Sequence, residues 1–133
     1  MVYVLVVEDE EDIRSLLVEQ LEDRGCDVRK ADNGAVALQR VKEQTPDIIF
    51  VDVKMPVMDG FLFISELQED PETFQVPVVL VTAINVPEVT ARAEALGVKN
   101  VLTKPWEPQA LDLVIDQALE RLNHEWDIPG PQA

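Results

Sequence analysis

Asp47-Ile48-Ile49-Phe50-Val51-Asp52-Val53-Lys54-Met55-Pro56-Val57-Met58-Asp59-Gly60 is the stretch whose reading decides the fold. Four apolar residues run unbroken from Ile48 into the Asp52 carboxylate. The segment after Asp52 suits neither helix nor strand, because Pro56 has no N–H and Gly60 tolerates unusual backbone angles. A short apolar run bounded by turn signals reads as a strand buried on both faces. Asp52 then stands at the C-terminal edge of a sheet, where open α/β sheets bind ligands. Taken alone, Asp52 serves equally well as a cap on that strand. The flanking chain has to decide.

Upstream, Tyr3–Val7 is a β-branched apolar run that ends in five consecutive acids, Glu8-Asp9-Glu10-Glu11-Asp12. Ile13, Leu16, Leu17 and Leu21 then recur at helical spacing. Acids in a first turn favour the helix dipole, and Asp9 is a candidate N-cap, which accounts for one or two of the five. Gly25 closes that helix, Val28–Ala31 is a second strand, and Asp32-Asn33-Gly34 is a turn. Ala35, Leu38 and Val41 mark a second helix, broken at Thr45-Pro46.

Downstream, residues 61–67 read as a third helix and Val78–Val81 as a fourth strand that stops at Thr82-Ala83. Pro87–Leu96 is alanine-rich and weakly amphipathic, a helix expected to be loosely anchored and a candidate for movement. Val101-Leu102 forms the last strand, ending at Thr103-Lys104-Pro105. The final helix carries Leu111, Val114, Ile115, Ala118, Leu119 and Leu122 on one stripe. Residues 1–124 form the domain, and residues 125–133 read as a tail or linker. His124 is expected at the surface, and Trp106 and Trp126 are expected to pack on the last helix or to meet a partner there.

Strands alternating with helices give an α/β fold, a parallel sheet covered on both faces. The C-terminal ends of all its strands then share one rim. Glu8 and Asp9 follow the first strand, Asp52 the third, Thr82 the fourth and Lys104 the fifth. Crowded carboxylates raise one another's pKa unless a cation sits among them. A hard divalent ion with oxygen ligands fits, Mg²⁺ in particular. A metal, an ammonium and a hydroxyl together suit a phosphoryl group, and a carboxylate can itself be the nucleophile.

With 26 acidic against 11 basic residues the net charge is −15. Nucleic-acid binding depends on Lys and Arg neutralising phosphates, so direct contact with DNA or RNA is disfavoured. Docking on an anionic membrane is disfavoured for the same reason. No apolar run approaches the roughly 20 residues of a membrane span. The single Cys26 forms no internal disulfide, which suits a cytoplasmic location; Asp23 and Asp27 nearby disfavour its thiolate.

The acidic pair Glu8-Asp9, the block from Asp52 through Met55-Pro56 to Met58-Asp59-Gly60, the Thr82-Ala83 end and Lys104-Pro105 resemble the receiver domain of bacterial two-component response regulators. The resemblance runs from Tyr3 to Leu122. It implies a flavodoxin-like three-layer sandwich whose five strands are ordered 2-1-3-4-5. It implies that Asp52 accepts a phosphoryl group from a histidine kinase or a histidine phosphotransfer protein. Asp9, Asp52 and the Lys54 backbone carbonyl would hold Mg²⁺ directly, with Glu8 acting through water. Thr82 and Lys104 would each contact a phosphoryl oxygen, and the Lys104–Pro105 peptide would be cis. Slow self-dephosphorylation is expected rather than enzymatic turnover. The helix at Pro87–Leu96, the last strand and the last helix form the family's signalling face, so a downstream target, an output domain or a homodimer is expected within 87–122.

Two positions depart from the family pattern. Receivers carry an aromatic residue three places before the lysine, and Val101 stands there. Lys54, two places after the acceptor, puts a second cation near the site, where it pairs with Glu8, slows water attack or is simply solvated. The alternative function is a Mg²⁺-dependent phosphohydrolase of the haloacid dehalogenase type. Such enzymes need a second Asp where this chain has Lys54, and 133 residues leave no room for a substrate cap.

Overall fold

The computed structural model describes residues 1–83 and 87–126, with side chains through residue 119. Five strands alternate with five helices in chain order: β1 (Tyr3–Val7), α1 (Glu11–Asp23), β2 (Asp27–Ala31), α2 (Gly34–Glu43), β3 (Ile48–Asp52), α3 (Gly60–Gln68), β4 (Val78–Thr82), α4 (Pro87–Ala95), β5 (Asn100–Thr103) and α5 (Pro108–Trp126). All pairings are parallel and the sheet order is β2-β1-β3-β4-β5, as expected. The chain steps from β1 outward to β2 and then back across to β3. The two strands on which that reversal turns lie side by side, with Val7 opposite Val51.

β1 and β3 are buried at every position, because successive side chains feed opposite cores. Leu5, Val7, Ile49, Val51 and Leu80 meet Ala37, Val41, Phe61, Ile64, Leu67 and Ala93 from α2, α3 and α4. Val4, Val6, Ile48, Phe50, Val79, Val81 and Leu102 meet Leu17, Leu21, Leu111, Val114 and Ala118 from α1 and α5. Each such large side chain contributes about 1.5–3 kcal/mol by leaving water. The result is three layers, helices over sheet over helices.

Helix boundaries follow local chemistry. Asn33 caps α2 by accepting from Val36 N–H at 3.0 Å. Gly25, at φ +84°, closes α1: its N–H reaches Glu22 O, and Cys26 N–H reaches back to Leu21 O. Asp9 does not cap α1. The cap position falls one residue later, at Glu10, whose side chain makes no capping bond. Glu11 and Asp12 occupy the first turn of α1, while Glu8, Asp9 and Glu10 lie at the sheet edge. α4 buries only Ala93, whereas α3 buries five residues, which agrees with the loose anchoring read from its sequence.

α5 continues through Glu125 and Trp126, which takes both out of the expected tail. The rest of that tail, residues 127–133, and the side chains of His124 and Trp126 lie outside the described residues. Trp106 packs against the core beneath α1 and α5. The Cys26 thiol is pushed up by burial, opposed by the Arg24 charge; desolvation rather than the neighbouring aspartates disfavours its thiolate.

Candidate functional site

Four strand ends converge at the C-terminal edge. Glu8 follows β1 directly; its N–H still bonds Ala31 O at 3.0 Å, so it continues the strand's path. Its side chain is only 2% exposed. Asp52 is the last residue of β3 and is buried, while Asp9 is exposed. Carboxylate oxygens of Glu8, Asp9 and Asp52 all lie within 4.8 Å of one another. The three acids expected from the sequence are therefore gathered at one point.

Lys104 enters from the far side of the sheet. Thr82 and Thr103 are register partners at the ends of β4 and β5, and Lys104 N–H donates to Thr82 O at 2.7 Å. The Lys104 ammonium reaches Glu8 Oε1 at 2.9 Å, Asp52 Oδ2 at 3.5 Å and Glu10 Oε1 at 3.9 Å. Thr82 is buried at this rim, and Ala83 beyond it is exposed. The Lys104–Pro105 peptide is cis, as expected.

Burial dominates the electrostatics. It lifts the Glu8 carboxyl to about 7, with the Asp52 charge adding to the rise and the hydrogen bond from Lys104 opposing it. Burial also raises Asp52, against the pull of the Lys104 charge. Burial pulls Lys104 down, but the Glu8 hydrogen bond and the charges of Asp52, Glu8 and Glu10 outweigh it, and its pKa rises. One ammonium does not fully compensate the buried carboxylates. A hard divalent cation fits this donor set, whose atoms are all oxygens.

The loop after Asp52 is pinned back on the strand. Gly60 N–H donates to Val53 O at 2.9 Å, and a Cβ on Gly60 would lie 2.2 Å from Asp52 O. Only glycine fits there. Asp59 caps α3 by accepting from Leu62 N–H at 2.8 Å, which commits its carboxylate outside the acidic cluster. Met58 N–H donates to Pro56 O at 2.7 Å, closing a tight turn around Val57, whose φ is +70°.

Lys54 does not pair with Glu8. Its side chain is exposed and makes no ion pair among the described residues, because Lys104 holds Glu8. Its carbonyl accepts no backbone N–H among the described residues.

Sequence reasoning missed several supports. Arg14 donates to the carbonyls of Glu8 at 2.9 Å and Asp9 at 3.4 Å, fixing the acidic loop. Glu8 Oε2 accepts from Glu10 N–H at 3.2 Å. Arg14 stands on the first turn of α1, within reach of the loop that precedes it, and that spacing was the available signal. Trp106 Nε1–H donates to Gln20 Oε1 at 2.7 Å, a contact across 86 residues that no local pattern announces.

Comparison with known proteins agrees with this geometry. The family model described as "Response regulator receiver domain" matches residues 4–116. The chain is 37% identical over 114 residues to an uncharacterized 14.6 kDa protein of Leptolyngbya boryana, covering 86% of this chain and 87% of that protein. It is 33% identical to the alkaline phosphatase synthesis transcriptional regulatory protein PhoP of Bacillus subtilis, covering 89% of this chain but 48% of that protein. The structure of chemotaxis protein CheY4 of Vibrio cholerae superposes with a TM-score of 0.83 at 31% identity, over 89% of this chain and 98% of that one. The chain thus spans nearly all of some relatives and about half or less of others, such as PhoP and the Escherichia coli regulatory protein AtoC, of which it covers 25%. With its acids, threonine and lysine gathered at the edge where the sheet reverses, this chain belongs to the response regulator receiver domain family, whose members are phosphorylation-dependent signalling switches.

Proposed function

We propose that Asp52 is the phosphoryl acceptor, taking the group from a phosphohistidine on a histidine kinase or phosphotransfer protein. The supporting observation is the Asp52 carboxylate itself, held with Glu8 and Asp9 within 4.8 Å and faced by the Lys104 ammonium at 3.5 Å. An Asp52 oxygen attacks phosphorus in line as the P–N bond to the donor imidazole breaks, and that nitrogen keeps the electron pair. Lys104 neutralises charge on one phosphoryl oxygen, and the Thr82 hydroxyl contacts another. Asp9, Asp52 and the Lys54 carbonyl would hold Mg²⁺, with Glu8 acting through water; bound there, the ion supplies charge neutralisation on the phosphoryl oxygens.

The same reading makes the protein a slowly self-dephosphorylating switch with a downstream protein target, an output domain or a second copy on the 87–122 face. A cytoplasmic location is part of this proposal. Among the described residues no helix is long and apolar enough to cross a membrane. The comparisons lend no support to the phosphohydrolase alternative.

The test is stoichiometric labelling with a phosphorylated kinase domain or phosphoramidate. One base-labile phosphoryl group per chain is expected, not formed when EDTA is present and absent in Asp52→Asn. A label retained in Asp52→Asn, or steady release of phosphate from generic monoesters that Asp52→Asn abolishes, would overturn it.

A further inference from the structure

The segment from Lys104 to Pro108 leaves the sheet and hangs between two anchors. On the sheet side, Lys104 N–H holds Thr82 O at 2.7 Å. On the other side, Trp106 Nε1–H holds Gln20 Oε1 at 2.7 Å on α1. Arg24 adds to this second anchor, donating to Gln20 O at 2.8 Å and Pro108 O at 3.2 Å and pairing with Asp112. The C-terminal end of α1 is thereby bound both to the indole and to the start of α5.

The Lys104 side chain needs such a frame. Three carboxylates, from Glu8, Asp52 and Glu10, lie within 3.9 Å of one ammonium. An ammonium on a flexible four-carbon stem has little directional preference of its own. Which carboxylate it favours depends on where its backbone is held. The indole ring would pack against the α1/α5 core without its N–H; the hydrogen bond adds a fixed rotation and depth.

Resting on the phosphoacceptor reading above, we propose that Trp106, through its hydrogen bond to Gln20, is a positioning residue that keeps the Lys104 ammonium within reach of Asp52. The competing role is simple satisfaction of a half-buried indole N–H. The two roles separate in a double variant. Removing one partner strands a polar group and costs stability, whereas replacing both with apolar groups is close to neutral. Positioning is lost in either case.

The experiment compares Trp106→Phe, Gln20→Leu, Gln20→Glu and the double Trp106→Phe/Gln20→Leu. The readouts are the rate of phosphorylation by phosphoramidate with Mg²⁺, the midpoint of denaturant unfolding, and amide exchange at Lys104. Trp106→Phe, Gln20→Leu and the double are expected to phosphorylate about tenfold more slowly, since small misplacements are costly in such sites. Gln20→Glu keeps an acceptor for the indole and stays within about twofold of the native rate. The double variant regains the unfolding midpoint without regaining the rate. A double variant that recovers both, or a native rate in Trp106→Phe or in Gln20→Leu, would overturn the proposal. If the native chain takes no phosphoryl group, the phosphoacceptor reading fails on its own. Exchange at Lys104 then decides the positioning role: faster in Trp106→Phe and the double than in Gln20→Glu supports it, and equal exchange overturns it.

Discussion

The Lys104 ammonium lies nearer to Glu8, at 2.9 Å, than to Asp52, at 3.5 Å. The lysine therefore stabilises the resting site mainly by holding a buried glutamate. Lys104→Met removes the only cation paired with these carboxylates among the described residues. Breaking a buried pair from one side costs about 3 kcal/mol. Denaturant unfolding at neutral pH without divalent ions should show that loss, and millimolar Mg²⁺ should narrow it.

Glu8 also sets a pH dependence. Its carboxyl is raised by burial from 4.5 to about 7, so the folded chain holds a proton that the unfolded chain has already released in that window. For this group, stability is fully present below about 4.5 and falls as pH rises toward about 7. Unfolding midpoints of the metal-free protein across that range should decline more steeply than those of Glu8→Gln. Parallel slopes would refute the assignment.

Gly60 admits no side chain. The Cβ of Gly60→Ala would stand 2.2 Å from the Asp52 carbonyl oxygen, and the obstacle is backbone rather than a movable side chain. A loss of about 1–3 kcal/mol is expected, with a parallel drop in phosphorylation because the strand end carrying Asp52 must shift.

Val57 carries strain. A β-branched residue at φ +70° is held there by the turn from Pro56 to Met58, with its own side chain 81% exposed. Val57→Gly relieves about 1 kcal/mol, which thermal unfolding would register as a higher midpoint. An unchanged or lower midpoint would show that the turn tolerates valine without cost.

Val101 lacks the ring that receivers carry at this position and is 38% exposed on β5. α4 beside it is held by Ala93 as its one buried residue. Phosphorylation should therefore be reported mainly through α4. Amide exchange of residues 87–97 should change with a phosphoryl mimic, and unchanged protection would rule that route out.

The architecture was legible because the central strands announce themselves. Ile48–Val51 and Val78–Val81 are unbroken apolar runs between turn signals, which only a sheet covered on both faces accommodates. Glu8, Asp9, Asp52, Thr82 and Lys104 were legible as strand-end residues once the strands were placed. What escaped was set by tertiary contact. Asp9 looked like a helix cap until the cap position proved to fall one residue later, at Glu10. Lys54 looked available to Glu8 because distance in sequence said nothing of the lysine arriving from β5. Gln20 and Trp106, 86 residues apart, meet only after the sheet has formed.

The alternation of side chains along the strands has a consequence for how this site can vary. Glu8, Asp52 and Lys104 continue the even-numbered rows of Val6, Phe50 and Leu102, all of which point toward α1 and α5. Thr82 continues the opposite row, that of Leu80, toward α4. The chemistry is thus indexed by alternate places along the strands rather than by the loops. A single inserted residue within β5 would turn Lys104 to the wrong side of the sheet, whereas loops on the opposite edge could lengthen without disturbing any of the four groups.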